Sequence, residues 1–202
     1  MLSLPNKSLV VLFVLMLHLP AVAQSDSTKR EGRKIRYYNN FLSGALIGGS
    51  GQEKTSFSFA TTHGIRVKRL SVGLGVEYDS YGPWKVVPLF ATASVDVVRL
   101  KSSAFFVQGV GGYSPAHYTQ SENRGYSFVD GGGGVMTSAL AGYRFSAEKF
   151  SMYISGGYRY QQNDFTYADQ FYSYTDFYYE PPHYSVKEKM ERFVIQLGFG
   201  WH

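Results

Sequence analysis

From Phe41 onward the apolar residues recur at every second position, the period of a strand whose two faces meet different surroundings. Leu70, Val72, Leu74, Val76 and Tyr78 fall on one face, against Ser71, Gly73, Gly75 and Glu77 on the other. Val87, Leu89, Ala91, Ala93, Val95 and Val97 repeat the pattern, as do Phe193, Ile195, Leu197, Phe199 and Trp201 at the C-terminal end. Weaker alternation occurs at Phe57 and Phe59, at Phe105 to Gly109, at Ala139 to Phe145, and from Phe150 to Tyr160. With Phe41–Gly49, whose facing the pattern leaves open, eight strands are expected.

Alternation alone fits two arrangements. In a soluble sandwich or a lipocalin-type barrel the bulky face points inward. A membrane barrel inverts this, with apolar side chains toward lipid, small or polar ones inside, and aromatic girdles at both interfaces. Glu77, Asp96, Arg144, Arg159 and Arg192 would then form a charge network in the lumen, since unpaired charges there would be costly.

The connections discriminate between the two. They run over Ser50–Lys54, Gly64–Arg69, Asp79–Lys85, Val98–Ser102, Ser114–Gly133, Ser146–Lys149 and Gln161–Glu191. The second, fourth and sixth are short, and the fifth and seventh are long. Outer-membrane barrels have short periplasmic turns and longer extracellular loops. The expectation is an all-β chain folded as an eight-stranded antiparallel transmembrane β-barrel, with short periplasmic turns and two long extracellular loops.

The stretch Phe57–Phe90 and the terminal FVIQLGFGW resemble small eight-stranded outer-membrane barrels of the OmpA-transmembrane-domain, OmpX and OmpW kind, and in particular the single-domain barrels of Bacteroidetes-type bacteria. That likeness implies a fold and a location and leaves the activity open, because one fold hosts many functions. It also implies partners: outer-membrane lipid, lipopolysaccharide and the barrel-assembly machinery. Phe199 and Trp201 stand where such barrels carry the C-terminal aromatic insertion signal, although here His202 follows Trp201.

Composition narrows the picture further. The 202-residue chain has 22 Gly, 17 Tyr, 15 Phe and no Cys, which excludes disulfide scaffolds, thiolate metal sites and thiol nucleophiles. Residues 1–23 read as a secretory signal peptide: Lys7 is the basic start, Leu9 to Leu19 the apolar segment and Ala21-Val22-Ala23 the cleavage site. Eleven apolar residues are too few for a spanning helix, which needs about 20. Residues 24–40 read as a basic N-terminal arm and residues 41–202 as the barrel. The formal net charge is +5, but export argues against nucleic acid as a partner.

Three segments invite chemistry. The seventh connection carries Phe171, Tyr172, Tyr174, Phe177, Tyr178 and Tyr179, an extracellular aromatic loop suited to a surface ligand because each Tyr offers an apolar face and a hydroxyl. It can equally be a protruding hairpin with rings paired across strands. Gly131–Gly134 would cradle phosphate only ahead of a helix; a strand follows, so a bulge at the rim is the better reading. His183-Tyr184-Ser185 matches the H-x-S spacing of lipid A 3-O-deacylases, with Glu188 or Glu191 as orienting carboxylate. The Asn-Ala pair that follows in that family is Val186-Lys187 here. Transport of a small apolar ligand is a further alternative. No metal-ligand spacing is seen among the histidines, no cofactor is expected, and the reading is a non-enzymatic barrel.

Overall fold

A computed structural model describes residues 35–48, 55–81, 84–118, 126–147, 149–169 and 183–201. The segment read as a signal peptide, and most of the arm after it, lie outside the described residues. The strands are β1 (Ile35–Ile47), β2 (Thr55–Val67), β3 (Leu70–Tyr81), β4 (Trp84–Val86), β5 (Leu89–Arg99), β6 (Ser103–Tyr118), β7 (Tyr126–Gly131), β8 (Gly133–Ser146), β9 (Phe150–Asp169) and β10 (His183–Trp201). β1 thus begins inside the stretch read as the arm.

Every pairing is antiparallel, and β10 pairs with both β9 and β1, so the sheet closes on itself. Two short strands continue their neighbours. β4 leads into β5 across Pro88, which lacks the N–H a ladder needs. β7 leads into β8 across Gly132. Counting β4 with β5 and β7 with β8, the wall has eight staves. A course of paired residues runs from Phe193 through Tyr158, Ala139, Gly109, Ala93, Val72 and Ile65 to Tyr37. Tyr37 lies two residues before Asn39, the partner of Trp201, itself eight residues beyond Phe193, so the two ends of the course are staggered by ten residues. A stagger of this kind tilts the strands by roughly 35–45° and keeps an eight-stranded interior narrow enough for side chains to fill.

The alternation maps onto the wall as the inverted arrangement requires. Leu74 (67% exposed), Phe57 (66%), Phe193 (66%) and Leu197 (61%) point outward, whereas Ser58, Ser71, Thr92, Ser138 and Ser155 are buried inside. β1 resolves the facing that the pattern left open: Leu42 and Leu46 point inward and Ile47 outward. Both faces carry apolar residues there, which is why its alternation reads poorly. At the short-turn end the rings of Phe41, Phe150, Phe199 and Trp201 form one cluster, with centroids 5.5–6.4 Å apart. Trp201 and Phe199, read as the insertion signal, are part of this girdle.

The turns follow the short-and-long alternation. Lys68-Arg69, Leu100–Ser102 and Ala147–Lys149 join strands at one end. Lys68 sits in the left-handed region at φ 55°. Beside the second turn, a bulge between Asp96 and Val98 on β5 sends both Val97 and Val98 outward and leaves Asp96 inside. Much of the long connections proves to be strand: β9 continues to Asp169 and β10 begins at His183, while β6 runs to Tyr118.

Candidate functional site

Five charged side chains are buried inside the barrel, in separate groups: Glu77 and Asp96 at 2% exposure, Arg159 at 2%, Arg192 at 6% and Arg144 at 7%. Arg159 on β9 reaches Glu77 at 2.8 Å and Asp79 at 3.2 Å on β3. In the ring of eight staves β3 and β9 are four apart in either direction, so this ion triad crosses the full width of the barrel. Arg159 also donates through Nε to Ser138 on β8 at 3.2 Å. Arg192 donates to Ser56 on β2 at 2.7 Å, over the intervening β1.

A second group lies toward the short turns. Asp96 accepts from Arg144 at 2.5 Å and from Arg99 at 2.8 Å. Arg144 stacks its guanidinium 5.8 Å from the centre of the Phe106 ring, and Arg66 stands 5.6 Å from that of Tyr38, both geometries favourable for a cation over a ring. Phe106 meets Tyr153 edge to face at 6.4 Å.

Apolar side chains close the remaining space. Leu46, Val86, Leu140, Met190 and Val194 form one buried cluster, and Ala60, Phe90 and Met136 a second. Inward rings fit where the residue paired with them is glycine, as with Gly75 opposite Phe90 and Gly198 opposite Tyr153. A Cβ at either glycine would run into the ring. A cavity of about 30 Å³ remains between Tyr38, Arg66, Thr92, Gln108, Arg144 and Tyr153.

Asp79 was missed, because the pattern ended the strand at Tyr78. The signal was present: Gly75, Glu77 and Asp79 continue one period-2 face. Gln161 and Asn163, buried inside at 1% and 2%, extend the face of Arg159 in the same way.

His183 and Ser185, whose spacing matches that of the deacylases, are exposed at the far end of β10. Alternation puts them on the same face as Lys187 and Lys189, whereas Glu188 lies on the other face with Val186 and Met190. Glu191 shares their face but is six residues from Ser185, roughly 20 Å along a strand. Phe171, Tyr172, Tyr174, Phe177, Tyr178 and Tyr179 lie outside the described residues.

Comparison with solved structures decides the architecture. Neisserial surface protein A matches with a TM-score of 0.57 over 85% of this chain and 99% of its own, at 13% identity. OprG, an outer membrane protein from Pseudomonas aeruginosa, matches with a TM-score of 0.63 over 87% and 98%, at 10% identity. The chain has the fold of a small outer-membrane β-barrel. The outer membrane protein AlkL, solved in lipid bilayers, matches this barrel with a TM-score of 0.50 over 89% and 96%, at 13% identity. No family model and no curated protein matches the chain. Identities this low relate the backbone of the barrel to these proteins and leave its side chains as its own.

Proposed function

We propose that this outer-membrane barrel has a structural or surface-interaction role and no catalytic one, exercised through the hairpin of β9 and β10. The observation that carries this reading is the reach of that hairpin. A membrane-spanning strand needs about 9–11 residues, and the outward apolar positions of β10 run only from Phe193 to Trp201. β9 has 20 residues and β10 has 19, paired over their whole length from Trp201–Phe150 to His183–Ala168. β7 adds a third strand along Tyr126–Asp169 to Gly131–Phe165. A paired sheet therefore continues beyond the apolar band for about nine residues, roughly 30 Å, and the Tyr-rich segment lies between its two strands in sequence. The side chains that fill the lumen among the described residues, the Arg159 ion triad and the clusters around Phe90 and Leu140, support the same reading.

The test compares cells displaying the full barrel with cells displaying one in which residues 165–184 are replaced by a short Gly-Ser turn. Attachment to immobilised glycan and protein surfaces is scored. The shortened barrel should keep its heat-modifiable electrophoretic mobility and lose attachment. Equal attachment by both would remove the hairpin as the interacting element.

A further inference from the structure

The short-turn end of the barrel presents a continuous basic surface. Lys68 and Arg69 make the first turn, Lys101 lies in the second and Lys149 ends the third; Arg99 closes β5, and Arg36 stands near the start of β1. All six are exposed. Among the described residues the carboxylate at this end is Asp96, which is buried and already engaged by Arg99 and Arg144. In sequence, the three turns add one acid, Glu148.

The turns are tied to one another. Arg99 donates through Nη2 to the carbonyl of Lys68. The Asp96 amide donates to the Arg69 carbonyl at 2.9 Å, and the Ser146 amide to the Ser102 carbonyl at 2.8 Å. The charges therefore stand on a fixed frame instead of on separate flexible tips. Lys68 shows the same emphasis. Two-residue hairpin turns with positive φ are normally built with Gly or Asn, and a lysine at φ 55° accepts strain that glycine would avoid.

The depth of this surface follows from the rings beside it. Phe41, Phe150, Phe199 and Trp201 cluster on the outer wall at the same end, and aromatic girdles lie at the boundary between hydrocarbon and headgroups. Long basic side chains just beyond such a girdle reach phosphate depth. The sequence between Gln161 and Glu191 has the opposite sign, with Asp164, Asp169, Asp176, Glu180, Glu188 and Glu191 against Lys187 and Lys189.

We infer that the collar of Arg36, Lys68, Arg69, Arg99, Lys101 and Lys149 binds anionic phospholipid headgroups of the periplasmic leaflet, donating charge-assisted hydrogen bonds to their phosphate oxygens. The inference rests on the placement of the barrel in the membrane and is independent of what the hairpin does. It also gives the barrel a preferred leaflet, since the acidic segment gains nothing from anionic headgroups.

The test uses the full barrel in neutral detergent, mixed with equal amounts of phosphatidylglycerol and phosphatidylcholine of the same acyl chains and read by native mass spectrometry. Phosphatidylglycerol should be retained over phosphatidylcholine by roughly tenfold or more. The preference should fall to parity in high salt and in the variant combining Arg36→Ser, Lys68→Gly, Arg69→Ser, Lys101→Ser and Lys149→Ser. Lys68→Gly alone separates charge from folding: it relieves the turn, so heat-modifiable mobility should persist while phosphatidylglycerol retention drops. Equal retention of the two lipids by the unaltered barrel, or an undiminished preference in the combined variant, would overturn the inference. Capture of muramyl-peptide fragments with no lipid preference would assign the collar to the cell wall and overturn it as well.

Discussion

Arg159 concentrates the electrostatics of the lumen in one side chain. Its planar fork suits two carboxylates at once, and Glu77 at 2.8 Å and Asp79 at 3.2 Å take both sides of it. All three groups are almost wholly withdrawn from solvent, so desolvation offsets much of their attraction. Removing one partner is a different matter, for it strands buried charge. Arg159→Met should destabilise the barrel by about 3–5 kcal/mol, measured by urea unfolding in lipid vesicles. Adding Glu77→Gln and Asp79→Asn should recover most of that loss; a triple variant as unstable as the single one would show that Arg159 acts through packing. Glu77 and Arg159 can be read from the sequence because each stands on the small-residue face of an alternating strand. Asp79 continues that inward face one step past Tyr78, where the outward apolar face that makes alternation conspicuous ends.

The same physics sets what was legible at the scale of strands. Period 2 is visible where one face meets lipid and the other a packed lumen, and the outward residues of β3, β5 and β10 are legible in the sequence for that reason. Above the apolar band the outward face of β10 carries Glu191, Lys189, Lys187 and Ser185, so hydrophobicity stops alternating although backbone pairing continues from Gln161–Met190 to Ala168–His183. Strand there reads as loop. Within the membrane the strands are fitted to one another by cross-strand pairs of glycine and ring, Gly198 with Tyr153 and Gly75 with Phe90. Gly198→Val should force Tyr153 off its position and cost about 1–3 kcal/mol, whereas Gly109→Ala should be nearly neutral, because a Cβ at Gly109 meets no neighbouring atom. Urea midpoints of the two variants measured side by side check the contrast; equal shifts would mean that the rings do not depend on the glycines.

At the scale of the whole molecule, eight staves with a stagger of ten residues leave an interior that side chains can fill, and here two separate devices fill it. The ion triad spans from β3 to β9, and apolar groups including Phe90, Met136 and Leu140 occupy the space around it. Charges alone would allow water to follow them through the barrel, and apolar groups alone would leave the polar wall unsatisfied. Together they leave a cavity of about 30 Å³ beside Tyr38 and Arg144. The barrel should therefore give no stable conductance steps in planar bilayers. Arg159→Ala alone should also stay closed, since Phe90, Met136 and Leu140 remain in place. Only a variant that removes both devices, Arg159→Ala with Phe90→Ala and Met136→Ala, should conduct. Steps from the unaltered barrel would show that the plug moves, and steps from Arg159→Ala alone would show that the ion triad is the whole of the seal.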